Sequence, residues 1–251
     1  MLKVMTFNLR VSSPGDGINE FFLRTPRVLK AIRDESPDLI GFQEDVDDMR
    51  AFLRKNLPEY TILGCGCHRD YHSVGNSIAY KTERFQLIDF ESRWLSHSPD
   101  VPGSTYGGDQ SKYPRSYHRA RLHDTESGKT FQFINMHADH MGENAKLLAT
   151  KQIIEVLKPY ANEGIFVCGD LNSHPETPSI CAFTEGNDLG LVDATAQLAG
   201  TYHGYGTRVP AYKCDYIFSN LPCSESYLVE DVPENGVYIS DHNPVVATFE
   251  V

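Results

Sequence analysis

The feature that most constrains this chain is a short apolar run that recurs and ends each time in a polar or charged residue. Buried β-strands have this length and composition, and polar groups at their ends line one edge of a sheet. The pattern therefore predicts packed sheets with polar side chains gathered along one rim. The runs are Val4–Asn8, Leu39–Glu44, Phe131–His137 and Ile165–Asn172, with variants at Asp215–Phe218 and Asp241–Val246.

Helical patterns lie between some of these runs. Thr25 followed by Pro26 is typical of a helix start, with Pro26 at the first helical position, and this helix must end before Pro37. Apolar residues at helical spacing predict a second helix between Val46 and Leu57, and the longest helix from Asn144 to Leu157. Helices and strands do not alternate regularly eight times, which disfavours a (β/α)8 barrel. We expect two packed sheets flanked by helices.

The charge balance narrows the range of partners. The 251 residues include 34 acidic and 23 basic side chains, which gives a formal net charge of -11. A protein that grips a nucleic-acid duplex through its phosphates normally presents a basic face, and no run of Lys and Arg occurs here. Carboxylates gathered around a divalent metal are compatible with the same balance, so net charge alone does not separate these cases.

Domain organisation and location follow from what the chain lacks. No low-complexity segment or Pro- or Ser/Gly-rich linker divides it, so we expect a single domain over residues 1–251. No stretch approaches the roughly 20 apolar residues that a membrane span requires. The first residues lack the pattern of a signal peptide, so a cytoplasmic protein is predicted. No protein partner can be inferred from the sequence.

The cysteine pattern favours free thiols. Six cysteines in a chain without a secretion signal are reduced by default. The segment Gly64–His68, with His72 close by, offers soft metal ligands, but its Cys-x-Cys spacing is not that of a zinc knuckle and no second pair follows. We therefore interpret residues 64–76 as a flexible loop rather than a zinc site.

Four carboxylates occupy comparable places at the ends of the apolar runs. A single acidic residue at a strand end usually caps the strand or faces water. Four carboxylates together with two amides and two histidines are instead what a phosphoesterase with a hard metal requires, since Mg²⁺ binds oxygen ligands. The residues of this set are Glu44, Asp170, Asp215, Asp241, Asn8, Asn172, His137 and His242.

Five short segments, spread from residue 6 to residue 245, resemble the endonuclease/exonuclease/phosphatase family, which has the DNase I-like fold. Each segment alone is weak evidence, but the five occur in the same order as in the family and span essentially the whole chain. The resemblance implies an α/β (α+β) fold in the form of a four-layer αββα sandwich, with the site at one rim. The segments are Thr6–Asn8, Phe42–Glu44, Asn135–His137, Gly169–Asn172 with Pro175, and Ser240–Val245.

The resemblance also implies roles for the site residues. Asp170 matches the aspartate that deprotonates the attacking nucleophile, Asn172 the amide that supports it, and His242 the histidine that contacts phosphate. Asp215 matches the carboxylate bonded to that imidazole, and His137 an additional histidine of the Asn-x-His motif. The residues that match the metal site are Glu44, Asn8 and Asp241. Mg²⁺ is the implied cofactor, with Mn²⁺ as a substitute.

Residues 135–142 are similar to a version of the Asn-x-His motif found in a bacterial branch of the family whose substrates are largely unassigned. This similarity adds His140 to the substrate-binding candidates. Asn76 stands in a Gly-Asn-x-Ile segment that begins a strand at the cleft in the family, and Arg115 is a candidate phosphate contact. Arg10, two residues past Asn8, is expected to share its strand face, either contacting an anion or pairing with a site carboxylate.

The leading hypothesis is a metal-dependent phosphoesterase that hydrolyses a phosphodiester or phosphomonoester by direct in-line attack of water. The acidic surroundings favour a compact phosphate ester as the substrate. A DNA or RNA nuclease is the alternative, although the sequence lacks an aromatic and basic stacking surface. A catalytically silent binding protein on the same fold is a distant alternative, because it requires a broken site and the core residues are all present.

Overall fold

The strands of the computed structural model, which describes residues 1–251, form two six-stranded mixed sheets. The first sheet has the order β11-β12-β1-β2-β4-β3, where β1 is Leu2–Asn8, β2 Leu39–Asp45, β3 Tyr60–Gly66, β4 Gly75–Lys81, β11 Cys223–Leu228 and β12 Val245–Phe249. The second has the order β5-β6-β7-β8-β10-β9, where β5 is Phe85–Trp94, β6 Ser116–Asp124, β7 Thr130–His137, β8 Gly164–Asp170, β9 Val192–Asp193 and β10 Asp215–Ser219.

Four helices cover the outer faces of the sheets. Helices α1 (Phe21–Glu35) and α2 (Asp47–Asn56) share an apolar core with the first sheet. Helices α3 (Glu143–Leu157) and α4 (Pro178–Thr184) share another with the second sheet. Short 3-10 helices occupy Pro14–Asn19 and Lys158–Tyr160. A third core fills the space between the sheets. The prediction of an αββα sandwich is confirmed.

Strand β1 shows why the apolar runs are continuous rather than alternating. Val4 packs into the core between the sheets, whereas Met5 and Phe7 pack into the core under the helices. A strand that is covered on both faces buries every side chain, so each position favours an apolar residue. The central strands of both sheets are buried in the same way, and the few polar residues inside them, such as Gln132 and Asn135 of β7, are buried as well.

The start of α1 differs from the sequence-based prediction. The helix begins at Phe21, with the Glu20 side chain accepting a hydrogen bond from the backbone N–H of Phe22, and Pro26 lies inside it. Proline has no N–H for the carbonyl four residues earlier, here that of Phe22. The Thr25 hydroxyl donates to that oxygen instead, at 3.0 Å. The helix therefore continues through Pro26 and ends at Glu35, before Pro37.

Asn135 joins the two sheets through polar contacts inside the core. Its Nδ2 donates to the carbonyl oxygens of Phe42 (2.7 Å) and Ser77 (2.8 Å) in the first sheet. Its Oδ1 accepts from Nε2 of Gln43 at 2.7 Å. A buried amide must satisfy its donors and acceptor, so these bonds fix how the sheets lie against each other.

The strand directions bring the polar strand ends together. β1 and β2 are parallel, and β12 runs antiparallel to β1, so the last residues of β1 lie beside the residues that precede β12. In the second sheet β7 and β8 are parallel, and β10 is antiparallel to β8, with Asp215 opposite Asp170. The carboxyl ends of four strands and the starts of two others thus meet at one rim.

Two further findings concern the lengths of the helices. Helix α3 has 15 residues, the same length as α1, so it is not the single longest helix. No helix has the length and apolar character needed to cross a membrane.

Candidate active site

Asp170, the last residue of β8, is held by two donors. The backbone N–H of Asn172 donates to its Oδ1 at 2.9 Å, and Nδ2 of Asn8 donates to its Oδ2 at 3.0 Å. Asn172 has a φ of 49°, a left-handed conformation that turns its N–H back towards the carboxylate. Burial, followed by the charge of nearby Asp215, raises the pKa of Asp170 well above its usual range. The carboxylate is oriented and unusually basic.

His242 is paired with Asp215 across the rim. Its Nδ1 lies 2.9 Å from Oδ2 of Asp215, and both side chains are buried. Burial alone lowers the pKa of a histidine, but the Asp215 charge and hydrogen bond, with Asp170, raise it to about 10. The imidazole is therefore protonated at neutral pH. Its Nε2 faces Oδ2 of Asp170 at 3.9 Å and Oδ1 of Asp241 at 4.0 Å.

His137, the last residue of β7, is the second buried imidazole of the site. Its Nε2 lies 3.1 Å from Nδ2 of Asn172 and 3.6 Å from Oδ2 of Asp170. Burial, with the positive charges of Arg115 and His242, holds its pKa well below the ordinary value. The two histidines thus differ in charge: His137 is neutral and His242 is cationic.

The three residues predicted to hold a metal lie together on the first-sheet side. Glu44 has a φ of 61°, and its Oε2 accepts from the N–H of Val11 at 3.0 Å. Nδ2 of Asn8 lies 3.4 Å from Oε1 of Glu44. Burial, opposed by the charge of His242 and reinforced by that of Glu44, raises the pKa of Asp241. These are oxygen donors with an excess of negative charge, the set that suits a hard divalent cation.

A second group of ligand atoms is geometrically compact but chemically unsuited to a metal. Ligand atoms of Asp170, Cys214, Asp215 and His242 lie within 4.8 Å of one another. His242 is protonated and its Nδ1 is bonded to Asp215, so it has no lone pair to offer there. The Cys214 thiol is a soft ligand, and burial raises its pKa well above the ordinary value, so it does not suit a hard cation such as Mg²⁺. The Glu44 side therefore fits a cation better.

A cavity of about 660 Å³ opens at this rim. It is lined by six of the eight residues of the predicted polar set: Glu44, Asp170, Asn172, Asp241, His242 and His137. Asn8 and Asp215 lie behind this lining, buried in the structure. The cavity is larger than a single phosphate group needs, so it has room for the body of a compact ester.

Arg10 does not lie on a strand face as predicted. β1 ends at Asn8, and Arg10 has a φ of 55°, which turns it out of the strand. Its guanidinium forms two hydrogen bonds with Asp16, at 3.0 and 3.1 Å. Glu44 and Asp241 lie farther away, at 4.0 and 3.9 Å. Arg10 lines the cavity, but its main partner is a carboxylate outside the predicted set.

The other three predicted substrate contacts also line the cavity. Asn76 is buried, and its Nδ2 donates to the carbonyl of Ser116 at 2.8 Å, so this amide donor already has a partner. Nη2 of Arg115 lies 3.1 Å from Nδ1 of His140, while its buried Nε has no hydrogen-bond partner. Arg115 and His140 thus form one basic wall next to His137.

Among the cavity residues that sequence reasoning missed, three lie on one loop and contact one another. Tyr202, Arg208 and Tyr212 lie on a loop between β9 and β10, and the guanidinium of Arg208 is 5.3 Å from the centre of each tyrosine ring. Tyr202 lies 4.8 Å from the His242 ring, centre to centre. The only sequence signal is a concentration of Tyr and Gly between residues 202 and 206, which does not indicate on its own where the loop folds.

The segment 64–76 differs in part from its interpretation as a loop. β3 continues to Gly66, which pairs with Gly75 of β4, so only residues 67–74 connect the two strands. His68 pairs with Asp70 at 3.1 Å and His72 with Asp47, and these residues form no metal cluster. Cys67 and His68 line the cavity. All six cysteines are free.

Comparisons with known proteins agree with this architecture. The model of the endonuclease/exonuclease/phosphatase family matches residues 5–242. The crystal structure of an endonuclease/exonuclease/phosphatase from Bacteroides vulgatus is 30% identical with a TM-score of 0.91, covering 100% of this chain and 98% of that one. A mannosyl-6-phosphatase from Bacteroides thetaiotaomicron is 24% identical with a TM-score of 0.88, covering 100% of both chains. An uncharacterised protein of Acanthamoeba polyphaga mimivirus is 24% identical over 90% of this chain and 91% of its own.

Proposed function

The chain belongs to the endonuclease/exonuclease/phosphatase family, and from this premise we propose that it is a metal-dependent phosphoesterase that hydrolyses a compact phosphate ester by direct attack of water. Members of this family are hydrolases of phosphate esters. The observation that carries the proposal is the meeting of an oriented basic carboxylate, a cationic imidazole and a cluster of oxygen donors at one cavity.

Asp170 is the group that accepts the proton from the attacking water. A general base works best when its pKa lies near the working pH, and burial beside Asp215 raises the pKa of Asp170 in that direction. The bonds from Asn172 and Asn8 hold each carboxylate oxygen, so the base does not have to reorient during the reaction. Water oxygen bonds to phosphorus as the bond to the leaving oxygen breaks.

The two buried histidines have different roles at the phosphoryl group. Charge grows on the phosphoryl oxygens as water attacks, and a fixed imidazolium at His242 stabilises that charge. Asp215 keeps the proton on His242 and fixes its orientation through the 2.9 Å contact. Neutral His137 accepts a hydrogen bond from Nδ2 of Asn172 at its Nε2, and so helps to position that amide beside the phosphoryl group without adding charge.

Glu44 and Asp241, supported by Asn8, are the residues that would hold the divalent cation, with Mg²⁺ favoured and Mn²⁺ as a substitute. When bound, such a cation neutralises charge on the phosphoryl oxygens. Arg10, Asn76, Arg115 and His140 remain proposed substrate contacts. Of these, Arg115 has the clearest capacity, because its buried Nε makes no hydrogen bond and its nearest carboxylate oxygen, Oδ1 of Asp139, is 3.9 Å away.

Activity should be tested on a panel of phosphate esters with Mg²⁺, including p-nitrophenyl esters, hexose phosphates, inositol phosphates, phospholipids and oligonucleotides. Hexose 6-phosphates come first because a similar structure is that of a mannosyl-6-phosphatase. Asp170→Asn and His242→Ala are each expected to lower the rate by about 100-fold to 10,000-fold. Arg33→Gln, on the exposed side of α1, is the matched control and should retain full activity. Full activity of both site variants without metal would overturn the proposal.

A nuclease is the second candidate within the family. The observation in its favour is that tyrosines line the cavity beside basic side chains. Binding of an oligonucleotide should then weaken steeply as salt is raised, because phosphate contacts release counterions. For a compact ester, the salt dependence of KM is expected to be shallow, since few charges are neutralised.

A further inference from the structure

Three arginines line the cavity, and of these only Arg208 has a side chain that makes no ion pair and no hydrogen bond. Its only close partners are the rings of Tyr202 and Tyr212, each 5.3 Å from the guanidinium carbon. Most other arginines pair with a carboxylate or a carbonyl oxygen, as Arg119 does with Asp89 and Glu91. In a chain with a net charge of -11, an arginine at a cavity without an acidic partner has its donors available for an anion.

The loop that carries Arg208 is attached to the catalytic rim. Backbone hydrogen bonds join Tyr202 and Tyr212 in both directions, at 3.0 and 3.2 Å, and close the loop at its base. Tyr202 also forms a β-bridge with His242. The loop backbone is therefore anchored to the rim beside His242, and the two tyrosines at its base also supply the rings that contact the Arg208 guanidinium, which limits the ordering cost of binding.

The Tyr202 ring packs against both His242 and Arg208. The ring lies 4.8 Å from the imidazole of His242 and 5.3 Å from the Arg208 guanidinium carbon. The Arg208 guanidinium forms no ion pair with Asp170, Asp215 or Asp241, the carboxylates around His242, so it is placed to bind a group other than the phosphoryl group under attack. Arg115 and His140 form another basic wall beside His137, on the second-sheet side of the same cavity.

We propose that Arg208, held between Tyr202 and Tyr212, binds a second anionic group on the non-reacting part of the substrate, so that the preferred substrates are compact phosphate esters with a further phosphate or carboxylate. This inference rests on the proposed phosphoesterase function. The planar guanidinium suits two-point binding of either anion, and its stacking on aromatic rings leaves the edge donors free. The tyrosine faces are occupied by Arg208, which disfavours base stacking there.

The test measures binding separately from turnover. In an Asp170→Asn background with Mg²⁺, isothermal titration calorimetry is performed with fructose 1,6-bisphosphate, fructose 6-phosphate, 6-phosphogluconate and a single-stranded oligonucleotide. We expect the bisphosphate or the phosphogluconate to bind at least tenfold more tightly than the monophosphate. Arg208→Gln should reduce that ratio towards one, and Arg208→Lys should keep part of it. Arg33→Gln, which removes the same charge far from the cavity, should leave the ratio unchanged.

The outcomes separate the two proposals. Equal binding of all the sugar esters, an unchanged ratio in Arg208→Gln, or tighter binding of the oligonucleotide would each overturn the role of Arg208. A preference for the bisphosphate alone identifies phosphate as the second anion, whereas equal preference for the phosphogluconate extends it to carboxylate. If wild-type protein binds these esters with the predicted ratio but hydrolyses no phosphate ester with Mg²⁺ or Mn²⁺, the phosphoesterase function fails while the binding role of Arg208 stands.

Discussion

At the scale of single residues, the two histidines of the rim show how position determines charge. Both are buried, and burial alone disfavours the protonated form of each. His242 has Asp215 at 2.9 Å and becomes cationic, whereas His137 has an amide as its closest partner at Nε2 and stays neutral. One carboxylate contact therefore separates a charged group from an uncharged one at the same cavity.

Asp215→Asn tests this dependence on a single charge. Without the carboxylate, the pKa of His242 should fall from about 10 towards its ordinary value of 6.5. In metal-free buffer, NMR titration of the His242 imidazole should show this fall. With Mg²⁺ at pH 8, kcat/KM should drop by about 100-fold or more because the imidazolium is lost. Asp34→Asn, on an exposed face of α1, is the control and should leave the His242 titration unchanged. An unchanged titration in Asp215→Asn would contradict the assignment.

The same contact has a defined effect on stability. The folded-state pKa of His242 lies above its unfolded value, so the pair stabilises the fold fully below about pH 6.5. That contribution is lost as the pH rises through about 10. Free energies of unfolding measured between pH 7 and pH 10 should therefore decline more in the wild type than in Asp215→Asn.

At the scale of elements, the close approach of the two sheets depends on a glycine in β2. A Cβ added at Gly41 would lie 2.4 Å from Sγ of Cys168 and 2.7 Å from Oδ1 of Asn135, both in the facing sheet. These distances are too short for any real contact, and the neighbouring atoms belong to packed side chains. Gly41 therefore allows Asn135 to reach across and form its bonds to the first sheet.

Gly41→Ala should destabilise the protein by about 1–3 kcal/mol through overpacking between the sheets. Urea unfolding followed by circular dichroism measures the change. Gly15→Ala is the control, since the nearest atom to its added Cβ is Oγ of Ser13 at 3.5 Å, an ordinary contact. Cys168→Ala should relieve part of the loss, because it removes the sulfur atom closest to the new methyl group. Equal stability of Gly41→Ala and wild type would refute this packing account.

The interior proline of α1 gives a second prediction for an element. Thr25→Val removes the hydroxyl that bonds the Phe22 carbonyl, and should cost about 0.5–1.5 kcal/mol of unfolding free energy. In a Pro26→Ala background the same change should cost less, because the alanine N–H can bond that carbonyl. A double-mutant cycle by urea denaturation measures the difference. Strict additivity of the two changes would show that the hydroxyl does not substitute for the missing N–H.

At the scale of the whole molecule, acid stability depends on histidines that the fold keeps neutral. His118 is fully buried, with Nδ1 2.7 Å from Oγ of Ser92, and Nε2 has no partner. Burial lowers its pKa to about 4, below the unfolded value of 6.5. Between these values the unfolded chain binds more protons than the folded one, so stability falls as the pH falls from about 6.5 to about 4.

His118→Gln should reduce this acid loss, which amounts to about 3 kcal/mol at most for a depression of this size. Urea unfolding at pH 7, 6 and 5 measures the slope in the variant and in the wild type. His123→Gln, a histidine on the same strand β6, is the control and should keep the wild-type slope. A slope that is the same in all three proteins would exclude His118 as the cause.

The rim was predictable from sequence because its residues end apolar runs in a two-sheet fold. Asp170 and His137 were identified by place in the chain and by family resemblance, and strand direction brings them together. Other features depend on local backbone turns that periodicity does not encode. The positive φ of Arg10 directs it to Asp16, and the hydroxyl of Thr25 lets α1 pass through a proline. The extent of the single domain over residues 1–251 and the role of each site residue stay predictions.

Because the loop between Tyr202 and Tyr212 is closed at its base, changes that affect substrate choice can occur separately from changes that affect the catalytic residues. The backbone N–H groups of His203 and Gly204 still bond the Asp241 carbonyl, but residues 205–211 make no such bond to the rim, so insertions or exchanges within them can alter what surrounds Arg208 without moving the strand ends that hold Asp170 and His242. Selection can therefore act on substrate choice at little cost to the chemistry. For protein engineering, this loop is the segment to randomise when a new ester specificity is sought from an intact hydrolytic rim.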